Sequence, residues 1–154
     1  MHQIREAVPS DADSISELYR TLVQDDSIDV RETRIAELAT SNTSFLLIGE
    51  VERKIAATAL LLICDDVMYG AQPFAVVENI VVSDGYRRQG LGSALMKRIE
   101  LICFEKDCSK TLLSSSRDRT PAHKFFRKLG FNDKLKIGFV KYRSQFAIES
   151  NEKS

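Results

Sequence analysis

The chain of 154 residues contains no tryptophan, three cysteines, three prolines and no surplus of charge of either sign. Each shortage excludes something. Lys+Arg and Asp+Glu both number 22. The basic excess that displaces counterions from phosphate backbones is therefore missing, and no nucleic-acid partner is expected. The longest nearly apolar run, Ile55 to Cys64, falls well short of the roughly 18–20 residues that span a bilayer, so no membrane partner is expected. Polar and charged residues follow Met1, without a charged-then-apolar leader, and a cytoplasmic location is expected. An odd number of cysteines gives no disulfide framework. Cys103 and Cys108 lack zinc-ligand spacing, and His2 and His123 are the only imidazoles, so no metal site is expected.

The hydrophobic content of 44% is ample for one domain with its own core. No repeat or linker divides the chain. The expectation is one domain over residues 1–148, with 149–154 a polar tail. His2 to Val8 alternates loosely as a strand, and Pro9-Ser10 breaks it. Ser10 is the expected N-cap of a helix carrying Ile15, Leu18, Tyr19 and Leu22. A shorter helix covers Arg31 to Thr40, with Ile35, Leu38 and Ala39 inward. Ser44–Val51 and Lys54–Cys64 read as strands joined by a tight turn at Glu52-Arg53. Phe74 to Val82 reads as a buried strand interrupted by Glu78 and Asn79. A helix begins at Gly90, with Leu91, Leu95, Ile99 and Ile102 on one face. Lys110–Ser114 is a short strand. Thr120-Pro121 opens a last helix, which Gly130 stops. Leu135 to Tyr142 reads as a final strand. The order predicts an α/β fold, a mixed sheet with helices on both faces.

The informative stretch runs from Val76 through Ser93. A buried strand leads through a turn into a helix whose first turn holds Gly90 and Gly92. Glycine lets backbone N–H groups approach a ligand closely. Unpaired N–H groups and the helix dipole suit a pyrophosphate, and Arg87 and Arg88 add charge-assisted hydrogen bonds. A dinucleotide fingerprint would need a third glycine where Leu95 stands. A P-loop would need Gly-Lys-Ser/Thr, and the chain has Gly92-Ser93-Ala94. On these residues alone, tight helix–sheet packing beside a solvated turn explains the glycines equally well.

Arg87-Arg88-Gln89-Gly90-Leu91-Gly92 resembles the Arg/Gln-x-x-Gly-x-Gly/Ala signature of the GNAT N-acetyltransferase superfamily. Glu78 to Val82 is similar to that family's fourth strand, and Ala122 to Phe131 to its late helix. The resemblance implies a mostly antiparallel sheet whose fourth and fifth strands splay apart. It implies acetyl-CoA as cosubstrate and direct acetyl transfer to a primary amine, with a small molecule as acceptor and a protein N-terminus or lysine as the alternative. A non-catalytic acetyl-CoA or CoA-binding module is the other alternative. Ile80, Val81 and Val82 would hold the pantetheine arm, and Arg87, Arg88, Gln89, Gly90, Leu91, Gly92 and Ser93 the pyrophosphate. A homodimer is common in the family.

Glu78 is the expected general base, since a carboxylate interrupts an otherwise Val/Ile strand and burial would raise its pKa. A structural arginine partner is the competing role. Asn79 faces the other way in a regular strand, and a bulge would reverse that. The family's proton donor to the thiolate is a late-helix tyrosine four residues before the glycine. Here that position is Phe126, which cannot donate; Tyr142 and Ser115 are the spare hydroxyls. Tyr19, Asp25, Asp26 and Asp29 are candidates for an acceptor pocket.

Overall fold

The computed structural model describes residues 1–148, so the expected tail at 149–154 lies outside the described residues. The chain divides into two compact units, Met1–Ser114 and the residues from Ser115 on. The first holds β1 (His2–Glu6), α1 (Ala12–Leu22), α2 (Glu32–Ala39), β2 (Ser44–Val51), β3 (Lys54–Cys64), β4 (Phe74–Val82), α3 (Leu91–Glu105) and β5 (Thr111–Leu113). The second holds α4 (Thr120–Lys128). The five strands form one sheet in sequence order, antiparallel except for the parallel pair β4–β5.

The meander follows from its turns. At Glu52-Arg53 the φ angles are +48° and +66°, the left-handed pair that a two-residue hairpin needs to match strand twist. Val51 and Lys54 then pair directly, which fixes the register of β2 against β3.

Strand alternation sorts the core onto two faces. Leu46 and Ile48 of β2 join Ala7, Ala12, Ile15 and Ile35, so α1 and α2 cover one face. Gly49 of β2 backs onto Leu91 of α3, so α3 covers the other. Leu91, Leu95 and Ile99 are each at most 1% exposed, and burying side chains of this size stabilises by about 1.5–3 kcal/mol apiece. Thr58 is fully buried, and its hydroxyl donates to the Leu47 carbonyl at 2.8 Å.

Three expectations are corrected. Asp11, not Ser10, occupies the N-cap of α1, because a short 3-10 turn over Pro9–Asp11 precedes the helix. The Asp11 carboxylate is instead the acceptor for the Val8 N–H at 2.8 Å and for the Arg5 guanidinium at 2.8 and 3.1 Å. Ala39 is exposed rather than inward, since α2 turns only Ile35 fully and Leu38 partly towards the core. Leu135–Tyr142 forms no strand and takes no sheet partner among the described residues.

Candidate functional site

β4 changes its company half-way along. Ala75, Val76 and Val77 pair with Thr111, Leu112 and Leu113 of β5, and the ladder stops there because β5 ends. From Glu78 to Val82 β4 holds only β3. One edge of this stretch therefore offers backbone hydrogen-bonding groups with no strand to receive them. The family resemblance implies that strands four and five splay apart in this region; the pairing of β4 with β5 stops at Val77–Leu113.

A bulge lies at its start. Between the pairs Leu60–Glu78 and Thr58–Val81, the single residue Ala59 faces both Asn79 and Ile80. Asn79 takes φ +56°, a conformation asparagine tolerates better than most residues. The bulge carries the Asn79 side chain to the α1 face, close to the Tyr19 phenol. Burial pushes that phenol above its ordinary pKa against the opposing effect of Asn79. Glu78 shares this face, because its cross-strand partner Leu60 packs on the core beneath α1 and α2. The carboxylate is exposed, not buried as the sequence suggests, since β5 ends before reaching it.

Beside Tyr19 lies a cavity of about 420 Å³, lined also by Asp29, Arg31, Arg34, Glu37 and Leu60. Arg31 pairs with Asp29 and Arg34 with Glu37, each at 2.7 Å. Of the acceptor candidates, Tyr19 and Asp29 line this cavity and Asp25 and Asp26 do not. Asp25 caps its own turn instead, accepting from the Ser27 N–H at 2.8 Å. Arg31 and Arg34 escaped the sequence reading. Their three-residue spacing at the start of α2 was the available signal, and it looks the same on a solvated helix face.

After Val82 the chain crosses a short turn and enters α3. Val81 is buried, Ile80 and Val82 are half-buried. Gly90 is the N-cap at φ +80°, where a Cβ would be strained. The first intrahelical bond found is Ala94 N–H to Gly90 C=O, so the N–H groups of Leu91, Gly92 and Ser93 have no helical partner. No side chain caps them and no acid stands in the first turn. By contrast α1 and α2 carry Asp13 and Glu32 there. An uncapped helix end without acid in its first turn favours negative charge through its free N–H groups and the helix dipole. Arg88 adopts φ +65° and makes no ion pair among the described residues. Arg87 pairs with Asp84 at 2.9 Å, and Gln89 closes its own turn by donating to the Gly85 carbonyl at 3.2 Å.

Within the second unit, Phe126 packs against Phe125 and Phe131, ring centroids 5.4 and 6.1 Å apart. His123 Nε2 lies 2.8 Å from the Ser116 carbonyl, which fastens the loop before α4. The Ser115 hydroxyl is buried without a partner, and Tyr142 is exposed. All three cysteines are free. Burial, reinforced by Cys103, pushes the Cys108 thiol up to about 11, the opposite of the lowered pKa that activates a thiolate. Among the described residues no cluster of three metal-ligating side chains occurs, and no helix is long and apolar enough to cross a membrane.

The sequence model of the acetyltransferase (GNAT) family matches residues 12–131, which includes β4, the turn and α3. The chain belongs to the GNAT acetyltransferase family. Over 78 residues the chain is 36% identical to a glucosamine 6-phosphate N-acetyltransferase of Trypanosoma brucei brucei, a match spanning 51% of each chain. The match thus covers about half the length of that relative. Among solved structures, a glucosamine-6-phosphate N-acetyltransferase of Arabidopsis thaliana superposes with TM-score 0.80 at 25% identity, covering 93% of this chain and 99% of that one. A Trypanosoma brucei acetyltransferase gives TM-score 0.76 at 26% identity, over 92% and 100%.

Proposed function

We propose that the chain is one acetyltransferase domain over residues 1–148 that moves an acetyl group from acetyl-CoA directly to the primary amine of a small molecule. The observation that carries this reading is the pairing of β4's open edge with the uncapped, acid-free start of α3. Ile80, Val81 and Val82 offer backbone groups to the pantetheine amides. Leu91, Gly92 and Ser93 N–H groups, with Arg88 and the rest of the turn from Arg87 to Gly90, receive the pyrophosphate. Bound acetyl-CoA supplies a thioester carbonyl and a thiolate leaving group.

The acceptor amine must be neutral to attack, so its proton must leave. Glu78 accepts it, directly or through a water, with its exposed carboxylate on the α1 face of β4. A β4 backbone N–H polarises the carbonyl. An amino sugar is the favoured acceptor class. The likeness to two glucosamine 6-phosphate N-acetyltransferases supports it, and so does a cavity holding both carboxylates and guanidinium groups. Free thiols agree with work in the cytoplasm.

Phe126 favours a second reading. The proton donor that the family resemblance implies at that position is absent, so cofactor binding without turnover is the competing role. A thermal shift followed by an amine panel separates the two. At a hundred times its dissociation constant, acetyl-CoA adds about 2.7 kcal/mol, roughly 5–10 °C for a chain of this size. ATP is expected to add nothing. No shift at millimolar acetyl-CoA overturns both readings; a shift without CoA release on amino sugars or other amines leaves the binding module. Gly92→Arg is expected to abolish the shift.

A further inference from the structure

The end of α3 brings two thiols into one backbone motif, and acetyl transfer uses neither. Asp107 takes φ +60°, a left-handed residue just past the helix C-cap at Lys106. The Cys108 N–H then donates to the Cys103 carbonyl at 2.9 Å, and the Asp107 N–H to the Phe104 carbonyl at 3.0 Å. These two bonds make a Schellman stop. An apolar contact commonly accompanies it, between the residue after the left-handed one and the third residue from the helix end. Here both positions are cysteine, Cys108 and Cys103. By bond lengths alone, such a hydrogen bond holds the two Cα atoms about 5–6 Å apart. A disulfide needs roughly 4.4–6.8 Å. The Thr111 hydroxyl donates to Cys103 Sγ at 3.4 Å, so the Cys103 side chain is turned to the segment that runs from Cys108 into β5. Cys103 is 6% exposed and Cys108 is half-buried, so a small molecule reaches Cys108 first. The third thiol is engaged elsewhere. Cys64 ends β3 opposite Phe74 and donates within its own strand to the Leu62 carbonyl, 3.8 Å away. Cys103 also raises the Cys108 thiol more than Cys64 does.

We propose that Cys103 and Cys108 form a reversible dithiol–disulfide pair, closed by exchange with a low-molecular-weight disulfide. In the first step the Cys108 thiolate attacks one sulfur of the small disulfide. A new S–S bond forms, the old one breaks, and one small thiol leaves with the proton that Cys108 released. In the second step Cys103, having released its own proton, attacks Cys108 Sγ. The second small thiol is expelled and takes that proton. The protein pair loses two electrons and two protons, and the small disulfide gains both, so no other reactant is consumed. Geometry rather than acidity selects this pair. Burial holds the Cys108 thiol protonated, which slows its attack. The same environment favours the closed form at equilibrium, because nothing there stabilises the thiolate that reduction would release. Closure also leaves the backbone in place, since the bond from Cys108 N–H to the Cys103 carbonyl already brings the two residues together. Once closed, the disulfide staples the last turn of α3 to the segment entering β5. Both residues lie within the first unit.

The test equilibrates the full chain with oxidised glutathione in excess over reduced, traps the remaining thiols, and reads intact mass and a peptide map. The expected product is a single chain lighter by two hydrogens. Trypsin cuts after Lys106, between the two cysteines, so the disulfide should join peptides 99–106 and 107–110. Cys64→Ser should leave closure intact, and Cys108→Ser should abolish it. The closed form should melt roughly 4–8 °C above the reduced form, and dithiothreitol should reverse both the mass change and the melting shift. Chains that stay reduced under excess oxidised glutathione overturn the proposal. So does a glutathione adduct that persists on Cys108 without closing. A disulfide that includes Cys64 or a second chain, or a closed form that melts below the reduced one, overturns it as well.

Discussion

Gly49→Ala tests how the sheet sets the position of the α3 N-terminus. A methyl group at Gly49 would lie 2.8 Å from Leu91 Cδ1, 3.2 Å from Leu91 Cγ and 3.2 Å from Ala57 Cβ. The Ala57 contact is fixed by the β2–β3 ladder, where Gly49 and Ala57 are direct partners. Leu91 must therefore give, yet it is 1% exposed and is the first residue of α3. Overpacking of this kind costs about 1–3 kcal/mol, and about 2 kcal/mol is the expected loss in urea unfolding. Melting should fall by roughly 4–8 °C. Truncating the obstacle supplies the control. Leu91→Ala alone should cost about 2–5 kcal/mol through its cavity. The double variant should cost less than the sum by at least about 1 kcal/mol, because the added methyl then occupies space that Leu91 vacated. Additivity within about 0.5 kcal/mol would refute the contact as the cause. Since the same shift moves the N–H groups of Leu91 and Gly92, the acetyl-CoA thermal shift of Gly49→Ala should also shrink.

Four further outcomes are expected. Glu78→Gln should lower kcat by about 100-fold or more while leaving the acetyl-CoA thermal shift intact; unchanged turnover across pH removes Glu78 as the base. Gly90→Ala should destabilise by about 1–2 kcal/mol from its positive φ, and Gly90→Asn by less, as denaturant melts would report; equal losses would refute the strain argument. Replacing Glu52-Arg53 by Asn-Gly should stabilise by about 1 kcal/mol, since both positions hold positive φ, and a lower urea midpoint would contradict the turn assignment. Burial raises the Asp11 carboxyl, but hydrogen bonds from Arg5 and the Val8 N–H outweigh it and hold the pKa below its ordinary value. Its stabilisation is therefore present above the unfolded value of about 3.9 and is lost as pH falls through the lower folded one. Asp11→Asn should cost about 1.5–3 kcal/mol at pH 7, and the gap should narrow below pH 4; a gap constant from pH 7 to pH 3 would exclude the ion pair as its source.

The sequence by itself determined the elements whose information is local. The α3 face of Leu91, Leu95 and Ile99, the β2–β3 hairpin and the full extent of β4 follow from periodicity and turn chemistry, and the structure reproduces them. Gly90 at the mouth of α3 was legible from the Gly90-Leu91-Gly92 pattern that opens an apolar helical periodicity, and its φ of +80° is what the structure adds. The tertiary structure decided what depends on neighbours. The bulge opposite Ala59 turns Asn79 towards Tyr19, and no property of Glu78-Asn79 alone reveals a two-against-one register. The exposure of Glu78 depends on where β5 stops, and so on a strand separated from it by all of α3. Leu135 to Tyr142 shows the same limit from the other side. Its alternation states a need for a sheet edge, but alternation is satisfied only by a partner, and the partner is not a local property of the chain.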